Sequence, residues 1–268
     1  MCRDCAPQAW IHIGDHAHQF AASRASGCHD PAGFGKAEVD VLREQLKRDG
    51  VKLKLIMFAS PSNPTGKILK RDQLQLLSDI AAENDAIIAS DEIYAAMDYE
   101  KTHVSMASVD AERTVTLNGF SKSHAMTGLR VGYLAAPERF APVVQKMVTL
   151  QQYTMVCSPH VMQWAAITAL KTPIEAELAL MKKRRDLVYG ILSKVTKLPY
   201  PDGAFYVYPD IPIDSAEFVT KAIERRLLLV PGYIFSANRK SIRISYATRE
   251  EILEEGAHIF CKMVTEYS

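Results

Sequence analysis

Two spacings of apolar residues organise this chain. In 37–50, AEVDVLREQLKRDG, residues Val39, Leu42 and Leu46 fall on one helical face, and Gly50 is a normal helix stop. In 51–60, VKLKLIMFAS, the second half is apolar without a break, which suits a strand covered on both faces, as in a parallel sheet. The two patterns then alternate. Helical spacing over 70–85 sets Leu74, Leu77 and Ala81 on one side, and AIIAS (86–90) reads as the next buried strand. RTVTLNG (113–119) is a third strand and VGYLAAP (131–137) a fourth that ends in proline. Strand, helix, strand in this order predicts right-handed crossovers and an α/β sheet.

Beyond 138 the pattern is helical as far as 195, with Pro159 and Pro173 the main breakers. A strand-like stretch follows at 203–211, a helix at 216–226, a strand start at 227–232, an alternating strand at 241–247 and a closing helix at 250–264. The expected architecture is a large domain, a mostly parallel sheet flanked by helices, over 30–165. An interdomain helix and a smaller C-terminal α+β domain follow over 166–268. Residues 1–29 show little periodicity and are read as an irregular leader.

Charge and composition narrow the function. Lys and Arg number 32 and Asp and Glu 31, so nothing draws the chain toward nucleic acid or anionic membranes. No apolar run approaches the roughly 18 residues of a membrane helix. The start, MCRDCAPQAW, lacks the basic-then-apolar build of a secretory signal, and five scattered cysteines favour a reducing compartment. The expectation is a cytoplasmic protein with no nucleic-acid or membrane partner. Cys2, Cys5, His12 and His16 sit too close together for the ~12-residue gap of a zinc finger, so no metal site is assigned.

The chemistry collects where the predicted strands end. PSNPTG (61–66), with Asn63, follows the first of them; an Asn-Pro bond reaches the cis form at a cost of only about 0.5–1 kcal/mol. Asp91 and Tyr94 follow AIIAS, and Ser121 and Lys122 follow the third strand. In open α/β sheets ligands bind beyond the carboxyl ends of the strands, and three strands here deliver polar side chains to that edge. A carboxylate at Asp91 needs a cation or donors, and a protonated heterocyclic nitrogen would serve; the residue is equally suited to capping a helix. Arg130, between Gly128 and Gly132, suits a phosphate, with Ser121 adding a hydroxyl. No phosphate loop or dinucleotide fingerprint is present. A neutral Lys122 amine would condense with a carbonyl. One ligand uses all of these groups: an aldehyde with a pyridine nitrogen, a phosphate and a phenolic oxygen, which is pyridoxal 5'-phosphate.

At these residues the chain resembles the class I/II pyridoxal-phosphate-dependent aminotransferases of the aspartate aminotransferase fold (fold type I). The motifs are SNPTG (62–66), SDEIY (90–94), SKSHAMTGLRVGY (121–133), GAFYVYPDI (203–211) and RISYAT (243–248), in the family's order. The resemblance implies that Lys122 forms the Schiff base and moves the substrate proton. It implies that Asp91 keeps the pyridine nitrogen protonated, that Asn63 and Tyr94 bond the ring oxygen, and that Ser121 and Arg130 hold the phosphate. Arg243 would clamp the substrate α-carboxylate; without the resemblance it reads as an exposed strand cation. The implied reaction is transamination between an L-amino acid and a 2-oxo acid, and the implied assembly is a homodimer with shared active sites. Alternatives are a β-lyase on the same fold, or an inactive truncated homologue. The family's glycine-containing phosphate cup and its ring-stacking aromatic residue have no counterpart in 1–29, where Trp10 is not read as that ring. The chain is therefore expected to lack the family's N-terminal part and to expose apolar surface.

Overall fold

The structure, a computed structural model, describes residues 8–13, 34–236 and 238–268. Its larger sheet has five strands in sequential order: β1 (Gln8–Ile13), β2 (Lys52–Ala59), β3 (Ile87–Asp91), β4 (Thr114–Gly119) and β5 (Gly132–Ala135). The first four run parallel and β5 is antiparallel to β4. The strand at Gln8–Ile13 lies inside the stretch read from sequence as irregular. It pairs with β2 from Gln8↔Lys52 to Ile13↔Phe58, across a register shift between Ala9 and Trp10. Such a short segment has no periodicity strong enough to announce it; pairing with an existing strand supplies the order.

Helices α1 (Lys36–Asp49) and α2 (Arg71–Asn84) connect the parallel strands. Gly50 closes α1 in the left-handed conformation, φ 61°, with its N–H directed to Leu46 O and Lys47 O. Val39, Leu74, Leu77 and Ile80 from the helices bury Leu53, Ile56, Phe58 and Ile88 of the sheet in one core. That core covers one face. Met57, between Ile56 and Phe58, points the other way and is 40% exposed. The two-sided cover that the apolar run predicts is thus present on one side only at this position.

Three helices follow: α3 (Ala141–Thr154), α4 (His160–Ala169) and α5 (Glu175–Leu192). The smaller sheet holds β6 (Tyr206–Val207), β7 (Val230–Pro231) and β8 (Ile242–Ser245) in the order β6-β8-β7, all antiparallel. Helices α6 (Ser215–Glu224) and α7 (Glu250–Tyr267) pack with α5 around a second core containing Leu192, Phe218, Ile242, Tyr246 and Phe260.

Residues 201–204 fasten this part to the large sheet. Asp202 N and Gly203 N both donate to Gly66 O (2.9 Å each), and Ala204 N donates to Met97 O (3.0 Å). Lys67 pairs with Asp202 at 2.7 Å. Both glycines are required by close approach. A Cβ on Gly203 would lie 2.6 Å from Met97 O, and one on Gly66, at φ 71°, would lie 2.7 Å from Pro201 Cβ.

Candidate active site

Strand register sets the site. Ala59, Asp91 and Leu117 are aligned across β2, β3 and β4, so the residues that follow each strand emerge at one edge. Asn63 stands in the turn after β2, where the Ser60–Pro61 and Asn63–Pro64 bonds are cis. Asp91 ends β3. Lys122 and Ser121 lie in the turn after β4, which pairs closely with β5 because Gly119 and Gly132 leave no side chain between the strands.

The structure brings five of the seven sequence-assigned residues into one connected group. Arg243, from β8, donates through Nη1 to Asn63 Oδ1 at 2.9 Å, which ties the small sheet to the turn after β2. Lys122 Nζ lies 5.9 Å from the centre of the Tyr94 ring. Asp91 accepts a hydrogen bond from Ile93 N on Oδ1 (3.1 Å), leaving Oδ2 for another donor. Burial pushes the Asp91 carboxyl above its ordinary value; the Ile93 bond and the Lys122 charge oppose this. Burial also pushes the Tyr94 phenol upward, and Tyr206 adds to the shift, so Tyr94 is a neutral phenol at physiological pH.

The remaining two stand apart. Arg130 is exposed in the left-handed conformation (φ 54°) and its Nη1 donates to Thr127 O at 2.8 Å rather than to another site residue. Ser121 shares the turn with Lys122 and makes no side-chain hydrogen bond to a described residue.

Several residues at the site carry no role in the sequence reading. Tyr206 lies within the quoted stretch GAFYVYPDI, and its hydroxyl is 3.0 Å from that of Tyr94. The Arg243 guanidinium is held between two rings, 4.6 Å from Tyr206 and 4.7 Å from Phe235. Its Nε is buried without a partner among the described residues. Glu92, next to Asp91, is 4% exposed and faces away from it. Its carboxylate accepts from Ser90 Oγ (3.0 Å), Ser105 Oγ (3.0 Å) and Met106 N (3.1 Å), with His103 Nε2 at 3.4 Å. Burial works against its ionisation, yet the bonds from His103, Ser105 and Met106 hold its carboxyl below the ordinary value. This network anchors the segment that carries Asp91 and Tyr94. The motif SDEIY was its only sequence signal, because the partners come from a separate loop.

The family described as "Aminotransferase class I and II" matches residues 24–260. The chain belongs to this family. Members use pyridoxal 5'-phosphate. Relatives of this family member include a probable aspartate aminotransferase of Methanocaldococcus jannaschii, 40% identical over 231 residues, covering 83% of this chain and 60% of the relative. An aromatic-amino-acid aminotransferase of Thermococcus litoralis is 40% identical over 230 residues, covering 80% and 58%. Among solved structures, an aspartate aminotransferase of Thermotoga maritima superposes with a TM-score of 0.83 at 28% identity, over 97% of this chain and 71% of that one. The chain spans about 60% of the length of the curated relatives it matches.

Among the described residues no helix is long and apolar enough to cross a membrane, and no cluster of His, Cys, Asp and Glu could hold a metal ion. Cys2, Cys5 and His16 lie outside the described residues, as does the side chain of His12.

Proposed function

We propose that this chain catalyses transfer of an amino group from an L-amino acid to a 2-oxo acid, with pyridoxal 5'-phosphate as cofactor and Lys122 as the residue that holds it covalently. The observation that carries the reading is the grouping of Lys122, Asp91, Tyr94, Asn63 and Arg243 at one sheet edge, with two donor or acceptor positions left open. Among the described residues Asp91 Oδ2 has no donor, which suits a proton-bearing ring nitrogen, and the buried Arg243 Nε has no partner. Both fit the groups that the cofactor and an α-amino acid would bring.

When bound, pyridoxal phosphate supplies an aldehyde that takes up the amino group and a pyridinium ring that draws electrons from the reacting carbon. The protein's residues do the rest. Arg243, stiffened between Tyr206 and Phe235 and held by Asn63, grips the α-carboxylate and so fixes which face of the substrate is presented. Displaced from the cofactor by the substrate amino group, the Lys122 amine would be free to take the proton from the substrate α-carbon and to deliver it to the cofactor carbon on the other side of the nitrogen. Asp91, as a carboxylate, keeps a proton on the ring nitrogen. Tyr94 and Asn63 would bond the ring oxygen, and Ser121 and Arg130 would hold the phosphate. A homodimer is the proposed assembly, supported by apolar residues exposed along α3 and α4. Cytoplasmic residence is proposed with it.

The test is a cofactor titration of the purified chain followed by visible absorption, with a Lys122→Ala chain alongside. Wild type is expected to develop a protein-bound band that the variant lacks; identical spectra would remove the proposal. Activity is then sought with aspartate and aromatic amino acids as donors, because relatives carry those names, and with 2-oxoglutarate or pyruvate as acceptors. Ammonia and pyruvate release without any oxo acid would indicate β-elimination instead.

A further inference from the structure

Tyr94 and Tyr206 form a buried pair of hydroxyls 3.0 Å apart, exposed by 3% and 6%. They share one hydrogen bond but carry two hydrogens. The second hydrogen needs an acceptor elsewhere, because an unused buried donor is costly. Both rings belong to one apolar cluster with Met97 and Ala204, and the Tyr206 hydroxyl has no other partner among the described residues. Tyr94 faces the site, with Lys122 Nζ over its ring and the Asp91 charge acting on its phenol. The Arg243 guanidinium over the Tyr206 ring draws electron density from it and makes its O–H the better donor. Both considerations give one direction: Tyr206 donates to Tyr94, and the hydrogen of Tyr94 is left for the site.

We propose that Tyr206 is a positioning residue whose hydroxyl, by donating to Tyr94, turns the Tyr94 hydrogen toward an anionic phenolic oxygen on the bound cofactor. The Tyr206 hydroxyl touches neither cofactor nor substrate and acts through Tyr94. Its ring also supports Arg243, so one side chain joins the cofactor-facing phenol to the carboxylate grip. The inference rests on the cofactor reading above.

Four chains test it: wild type, Tyr206→Phe, Tyr94→Phe and the double variant, each loaded with pyridoxal 5'-phosphate. The measured quantity is the pH midpoint of the bound cofactor's visible absorption. Weakening a donor to an anionic oxygen makes that oxygen hold its proton more tightly, so the midpoint rises. A rise of roughly 0.3–0.6 pH unit is expected for Tyr206→Phe, and a larger one for Tyr94→Phe. The double variant is expected to match Tyr94→Phe, since Tyr206 has nothing to act through once that hydroxyl is gone. The phenylalanine keeps the ring under Arg243, and the double variant leaves no buried hydroxyl unpaired, so circular dichroism and melting should stay close to wild type. Three outcomes would overturn the proposal: an unmoved midpoint in Tyr206→Phe, a further additive rise in the double variant, or a Tyr206→Phe chain that no longer folds. A wild-type chain with no Lys122-dependent band is a different failure: it removes the cofactor reading and this inference with it.

Discussion

Asp91 and Glu92 are neighbours in sequence with opposite responses to burial. Asp91 titrates above its ordinary value of 3.8, so its contribution to stability is present below that pH and is lost as the pH rises through the folded value. At neutral pH the ionised carboxylate therefore costs the ligand-free protein stability. Asp91→Asn keeps the oxygen that accepts from Ile93 N and should melt higher than wild type at pH 7, with the difference closing on acidification. The proposed transamination should be lost. A scan of melting temperature against pH checks the sign, and a lower-melting variant at pH 7 would refute it. Glu92 titrates below 4.5, so its stabilisation is present above that value and is lost as pH falls through the folded one. Glu92→Gln should lower the melting temperature at pH 7 and flatten its fall on the acid side. For Arg243, replacement by lysine retains charge but loses the fork and the stacking on two rings. The KM for the amino acid should rise about 10- to 100-fold, the worth of one charge-assisted hydrogen bond, with kcat less affected. Lys122, Asp91, Asn63 and Arg243 could be proposed from sequence because each belongs to a short motif. Tyr206 and Glu92 could not, because their roles depend on side chains 112 and 11–14 positions away.

Among the elements, the segment 201–204 determines whether Arg243 reaches Asn63. It is bonded to Gly66 and Met97, at the feet of the turns that carry Asn63 and Tyr94. Arg185 reinforces it from α5. Fully buried, its guanidinium lies between the rings of Tyr99 (4.9 Å) and Tyr200 (4.6 Å) and donates to Pro201 O at 3.1 Å. Gly203→Ala would push a methyl group into Met97 O and Pro61 and should cost about 1–3 kcal/mol, read as a lower denaturant midpoint. An unchanged midpoint would show that this junction yields without strain. Helices α1 and α2 were legible from their periodicity, and their observed limits agree with the sequence reading within a residue. The strands of the small sheet were harder to delimit. Two of them pair over only two residues each, far shorter than the apolar stretches that contain them.

For the molecule as a whole, the exposed apolar surface is the feature that needs a partner. Leu150, Tyr153, Val161, Trp164 and Leu170 on and just after α3 and α4 are all more than 60% exposed, and α3 buries none of its residues fully. Scattered exposed leucines are ordinary, but an apolar helix pair marks an interface. Sedimentation of the purified chain should give a mass above that of one copy at micromolar concentration. Trp164→Glu should shift it toward the monomer without changing the circular dichroism spectrum. A wild-type chain that sediments as a single copy would remove the homodimer proposal.

The amino-acid sequence by itself determined the α/β class, the helices and central strands of the large sheet, and the residues with cofactor-like chemistry. All of these are written in local spacing and short motifs. Only the tertiary structure decided that Gln8–Ile13 is a strand, that Arg243 meets Asn63, and that Tyr206 lies against Tyr94. These pairings join residues tens to nearly two hundred positions apart, and no local pattern of side chains encodes them. They exist because burying two apolar cores brings one sheet edge against the other, and the polar groups caught between them must then find partners.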